Sequence, residues 1–389
     1  MQQNRLRQLF LLEEKDRMLL RCLFEPVGPD ALERLYQDLD FDAERQEYLL
    51  FLSRLSQKNG FAQVPQPLVA RMKGLIRYHM VNNVLLMQGV LEITDLLREK
   101  GIPVMLIKGA AFSACYDRMQ PRLMWDADIA VPYQRADEAC QMALSAGFAL
   151  RGTSPHAVDL VRGNYQVDLH RVVFKRGGEK RAEEIWQKAQ KILYQGRELF
   201  VPDLADQLIH GLDNEFRNHV VGEGEGRRIK WYYDAAKLIR HPAFPGWQAV
   251  AQRAKERGVP GIVRYMLGLF EESLPGWVDK AFFTEYLPDR EYRFDEETLL
   301  SLRSYATEND RYKNDVASGH VPHRFSRWLA LMKLEYRYMN SEVSPAEGQV
   351  SLLQMFLIHW RLDSVWQIPA KVLQRLWNMR KKKGGSTDG

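Results

Sequence analysis

The sequence predicts an α+β protein, in which a mixed β-sheet stands between helical flanks. Three observations predict it. Apolar residues recur at helical spacing before residue 100 and again after residue 178. Between 103 and 174 the spacing switches repeatedly between helical and alternating. Gly, Pro and Asn cluster where one pattern gives way to the next.

The first 65 residues read as a helical segment, with Leu19, Leu20 and Leu23 or Tyr48, Leu49 and Leu52 on helix faces and turns at Val27-Gly28-Pro29 and Lys58-Asn59-Gly60. Asp38, Asp40 and Asp42 lie there in a turn, with Asp42 expected to cap a helix starting near Ala43. A longer helix runs from about Pro67 to Lys100 and stops at Gly101. The core follows over 66–178: a strand PVMLIK, a short helix after Gly109, a strand WDADIAV, a helix from Tyr133 to Ala146, and two extended runs, HAVDLV and YQVDLHRVVF, joined by Arg162-Gly163-Asn164 as a hairpin. A charged, Gly-containing break then leads to a helical region over 179–379 and a basic, polar tail over 380–389, expected to be disordered.

Bulk properties exclude more than they assign. The 55 Lys and Arg against 50 Asp and Glu leave a net charge of +5, too mild to imply a polyanionic partner. Three widely spaced cysteines form neither a disulfide framework nor a CxxC metal site, and no run reaches the roughly 18 apolar residues of a spanning helix. The expectation is a cytoplasmic protein without a transmembrane segment. Gly-x-Ser-x-Gly, His-Glu-x-x-His, Walker and dinucleotide motifs are missing, and the acidic Gly222-Glu-Gly-Glu-Gly run would repel phosphate.

Chemistry concentrates on the two central strands. The period of two in WDADIAV puts Asp126 and Asp128 on one face and Trp125, Ala127, Ile129 and Val131 on the other. Two neighbouring carboxylates repel unless a hard divalent cation joins them. In the later strand Asp168 and His170 share a face, so a third carboxylate can reach the same cation. Upstream, the strand ending in Lys108-Gly109 runs into a helix whose N-terminal amides suit phosphate. Lys108 adds a point charge, Gly109 allows close backbone approach, and Arg122 could fork onto phosphate oxygens.

Leu106-Ile107-Lys108-Gly109, Arg122-Leu-Met-Trp-Asp126-Ala-Asp128 and Val167-Asp168-Leu169-His170 together resemble the uncharacterised bacterial nucleotidyltransferases of the DNA polymerase β-like superfamily. The resemblance covers about residues 70 to 240, with weaker echoes at His210, His219 and Asp234. It implies a minimal nucleotidyltransferase sheet in which Asp126, Asp128 and Asp168 bind Mg²⁺ or Mn²⁺. Asp168 would also help deprotonate an acceptor hydroxyl, while Lys108 and Gly109 hold the phosphates of a nucleoside triphosphate. It further implies transfer of a nucleoside monophosphate with release of pyrophosphate. Lys-Gly-Ala stands where better-known superfamily members have Gly-Gly or Gly-Ser, and Trp125 where a small residue is common.

The acceptor stays open among a small molecule, a protein side chain and an RNA end. Two other readings compete: a nucleotide-binding sensor or scaffold without turnover, and an RNA-binding module using His323, Arg324, Arg327, Trp328, Lys333, Tyr336 and Arg337. A helix from Pro369 to Lys383, ending in Arg380 and three lysines, suggests a peripheral membrane contact.

Overall fold

The computed structural model describes residues 7–289 except 9, 27, 38, 63, 117–121, 154–155, 175–177 and 222–227, together with 364, 366–371, 373 and 374. Asp38, the Gly222 run, the basic aromatic stretch from His323 to Arg337 and the end of the last helix with its tail lie outside the described residues.

Helices α1 (Glu14–Phe24), α2 (Pro29–Tyr36) and α3 (Gln46–Lys58) form the N-terminal segment. The third starts later than the sequence suggests, because the Asp40 carboxylate accepts the backbone N–H groups of Asp42 and Ala43 and closes a turn first. Helix α4 (Gln66–Arg98) follows, ended by Gly101 at φ 63°. Its buried stripe, from Met72 and Ile76 through Leu86, Val90, Ile93 and Leu97, repeats at helical spacing and covers the sheet.

The sheet has seven strands: β1 (Met105–Leu106), β2 (Ala127–Ala130), β3 (Ala149–Thr153), β4 (Ala157–Arg162), β5 (Tyr165–His170), β6 (Gln190–Tyr194) and β7 (Arg197–Val201). Their order is β3-β4-β5-β2-β1-β7-β6. The β4–β5 hairpin turns through Gly163 at φ 58°, as its Gly-Asn sequence predicts. β2 runs antiparallel to β1 but parallel to β5, which makes the sheet mixed. Between them lie α5 (Lys108–Cys115) after β1, α6 (Ala136–Ser145) after β2, and α7 (Gly178–Lys188).

One expectation is corrected here. The chain after residue 178 is not continuously helical, because β6 and β7 form a hairpin and β7 extends the sheet beside β1. Arg197-Glu-Leu-Phe-Val alternates only over a few residues, and the flanking helical pattern hides so short a signal.

Helices α8 (Leu204–Val221), α9 (Arg228–Ile239), α10 (Trp247–Arg257) and α11 (Pro260–Ser273) complete the described fold. Their apolar faces share one hydrophobic core with α1 to α3, joining Leu19, Tyr48 and Leu52 to Phe216, Tyr232 and Phe270. A second core unites α4, the sheet and α6. Helices α1 to α3 and α8 to α11 thus pack on each other beside the sheet. No helix among the described residues is long and apolar enough to cross a membrane.

Helix α4 approaches β5 closely at Gly89, where an added Cβ would stand 2.8 Å from Tyr165 Cβ and 3.4 Å from Val167 Cγ2. That contact seats the strand carrying Asp168. Gly89→Ala is expected to lower unfolding stability by roughly 1–3 kcal/mol in a denaturant titration, despite alanine's higher helix propensity. A stabilised variant would mean that the helix and strand adjust without strain.

Candidate active site

The site begins with strand pairing. In the parallel register of β2 and β5, Asp128 lies opposite Asp168 and Ala130 opposite His170, so both carboxylates emerge side by side on one face. Asp126 stands in the bend just before β2 rather than inside the strand, which starts at Ala127. The antiparallel β4 adds a residue that the sequence reading did not single out: Asp159 pairs with Asp168 and extends the row of carboxylates. The pairing of strands revealed it; the motif Val-Asp-Leu, present in both β4 and β5, was its only trace in the sequence.

Asp128 is buried and holds the network together. Its Oδ1 accepts a hydrogen bond from Lys108 Nζ at 2.5 Å and lies 3.0 Å from His170 Nε2. Burial opposes ionisation of this carboxyl, but Lys108 and then His170 prevail and hold it far below the usual carboxylate range. Asp168 moves the opposite way, up to about 7, first through burial and then through the negative charges of Asp128 and Asp126. Lys108 itself is disfavoured as a cation by burial, yet Asp128, Asp126 and Asp168 raise it above the ordinary lysine range.

One ligand atom from each of Asp128, Asp168 and His170 lies within 4.8 Å of the others. Oxygen donors on a half-compensated acidic pair suit a divalent cation such as Mg²⁺ or Mn²⁺, with the imidazole either ligating or orienting Asp128. The residues present therefore fit the group that the sequence implied.

A cleft opens over these residues. Its lining includes Lys108, Gly109, Asp126, Asp128 and His170 together with Asn214, Glu215 and Asn218 of α8 and Lys230 and Asp234 of α9. Trp125, an exposed aromatic, stands at the cleft beside Asp126. His210 also faces the cleft, and burial together with Lys108 and His170 pushes its imidazole down to about 3, so it stays neutral. Next to this lining, Glu47 of α3 accepts the Lys230 backbone N–H, and burial followed by Glu215 raises it to about 8. The α8 wall escaped the sequence reading, although Gly211, Asn214, Glu215 and Asn218 do form a small polar stripe at helical spacing.

Gly109 is buried with its Cα facing Met124, whose Cγ would lie 3.2 Å from an added Cβ. Arg122 has a different partner from the one its spacing suggested. Its guanidinium is buried, forks onto both Asp234 oxygens at 2.7 and 2.5 Å, and lies over the Phe112 ring. It ties the approach to β2 to helix α9. Of the weaker echoes, His210 and Asp234 join the cleft, and the His219 side chain lies outside the described residues.

Arg122→Ala leaves Asp234 without its bidentate partner, and the expected loss of unfolding stability is about 3–5 kcal/mol. Asp234→Asn, which keeps shape and one hydrogen bond, should lose less. Equal stability of Arg122→Ala and the parent in chemical denaturation would refute the clamp.

The solution structure of the antibiotic-resistance factor ANT(2'')-Ia is similar at 15% identity and a TM-score of 0.33, covering 48% of this chain and 94% of that one. The crystal structure of an antigenic nucleotidyltransferase-like protein from Paracoccidioides brasiliensis is similar at 12% identity and a TM-score of 0.34, covering 51% of this chain and 90% of that one. No curated protein matches. A family described as "Uncharacterised nucleotidyltransferase" matches residues 28–275. That match spans well over half of the sequence, and the chain belongs to this nucleotidyltransferase family.

Proposed function

We propose that this chain is a metal-dependent nucleotidyltransferase that moves a nucleoside monophosphate from a nucleoside triphosphate to an acceptor hydroxyl. The observation that carries the reading is the parallel register of Asp128 and Asp168, which sets two carboxylates side by side, Asp128 lining a cleft, in a chain of this family.

Asp128 and Asp168, which group with His170, are the candidate ligands of Mg²⁺ or Mn²⁺, and Asp126 in the adjoining bend joins them by the resemblance alone. Such a cation supplies positive charge to the phosphate oxygens as bonding shifts between the attacking and leaving groups. His170 fixes the orientation of Asp128 through their hydrogen bond. The amides at the start of α5, with Lys108 and Gly109, offer donors and positive potential for the phosphates. Asp168, beside the proposed cation position, would take the acceptor's hydroxyl proton. The acceptor oxygen then bonds to the α-phosphorus, the bond from that phosphorus to the bridging oxygen breaks, and pyrophosphate leaves.

An acceptor position is supported by Asn214, Glu215, Asn218 and Lys230, which add hydrogen-bonding groups to the lining of the same cleft. The Arg122–Asp234 pair would fix α9 against the chain that enters β2. The nucleotidyltransferase core would then extend past residue 178 to include β6 and β7, with α8 and α9 closing the cleft.

The test is a transfer assay with the four α-³²P ribonucleotides, Mg²⁺ or Mn²⁺, and protein, RNA and small-molecule fractions of a lysate. Label is expected in one fraction only, and Asp128→Asn is expected to lower it by roughly 10²-fold or more while circular dichroism stays unchanged. A folded Asp128→Asn variant with parental activity would overturn the assignment. Nucleotide binding without transfer to any fraction would favour a sensor.

A further inference from the structure

We propose that Lys108 is a tethered cation that occupies the metal position until a phosphate chain draws it away, so that cation loading is conditional on nucleotide. This inference rests on the metal-dependent reading above and adds a device to it. Three observations on separate parts of the residue lead there.

First, the ammonium is held against Asp128 at the wall of the cleft. It sits 2.5 Å from Asp128 Oδ1, the same oxygen that faces His170, and Asp128 belongs to the only group of three candidate ligands found among the described residues. A positive charge thus already stands where a divalent cation would bind. Second, Lys108 opens α5, placing its stem beside the free amides that favour phosphate. From there a rotation of the side chain alone carries the charge from carboxylate to phosphate. Third, its backbone φ is 49°, one of three positive values at non-glycine residues among those described. A β-carbon in the left-handed region is unfavourable, and such strain at a cleft persists where side-chain interactions hold it.

The physical consequence is competition followed by cooperation. A lysine ammonium and a divalent cation on one carboxylate repel each other, so each weakens the other's hold on Asp128. Phosphate oxygens give the ammonium a second partner of equal sign and greater charge. Once it moves there, Asp128 is released to the metal and the phosphates gain a direct contact. The free energies of metal and phosphate binding are thereby coupled, and the coupling is reciprocal.

Lys108→Met and Lys108→Gln, two neutral replacements of similar length, separate this device from a structural role. Calorimetric titrations use Mn²⁺ alone in one arm and metal-free tripolyphosphate in the other. Both variants are expected to bind Mn²⁺ at least about tenfold more tightly than the parent, on the scale of one unit-charge repulsion near a protein surface. They should also bind tripolyphosphate at least about tenfold more weakly, for loss of one charge-assisted contact. A local folding defect would weaken both ligands together, and that outcome overturns the proposal, as does unchanged Mn²⁺ affinity. Asp128→Asn tests the underlying site in the same titration. Parental Mn²⁺ affinity in Asp128→Asn overturns the metal site itself, whereas lost affinity there with no gain in the Lys108 variants overturns only the gate.

Discussion

The pairing of β2 with β5 is the constraint on which the rest depends. Side chains directly opposite in neighbouring strands share a face, and here the opposed residues are Asp128 and Asp168. A shift of one residue would turn one carboxylate into the apolar core and separate the pair. The register is held from both sides. The turn at Gly163 locks β5 to β4, and the side-chain-free contact at Gly89 lets α4 press against β5. Much of the apolar packing around the sheet therefore serves to keep two like charges adjacent.

Such a pair creates an electrostatic demand that the neighbouring groups meet only in part. Lys108 and His170 converge on Asp128 and stabilise its charge, while Asp168 is left with its proton held near neutrality. The uneven division has a structural origin, since Asp128 is the more buried carboxylate and has both partners within hydrogen-bonding reach. His210 remains neutral under the same fields, so it adds polarity to the cleft without adding charge. Arg122, buried against Asp234, joins the acidic strands to the helical wall and converts the two cores of the chain into one cleft.

Much of this was legible in the sequence because it depends on local patterns. The alternation around Asp128 and around Asp168 gave the two strands and their faces, and Gly163 gave the hairpin. The helix after Lys108-Gly109 was equally visible. What depended on long-range pairing was not. The parallel neighbour of β2 could not be read from either strand alone, so the register that sets Asp128 opposite Asp168 was not legible. β7 was hidden because its run is short: it pairs with β6 across a tight turn and meets β1, nearly a hundred residues earlier, at Met105 opposite Phe200. Arg122 illustrates a third limit. A spacing of four before Asp126 suggested phosphate, whereas the partner it actually forks onto lies on a helix far along the sequence.

In the proposed mechanism the acidic row on β2 and β5 holds a cation facing the helix end that takes phosphate. Anomalous diffraction from crystals grown with Mn²⁺ and tripolyphosphate tests this arrangement. A manganese peak ligated by Asp128 and Asp168, with phosphate density at the start of α5, is the expected result. Manganese bound elsewhere, with that pair left unligated, would contradict it.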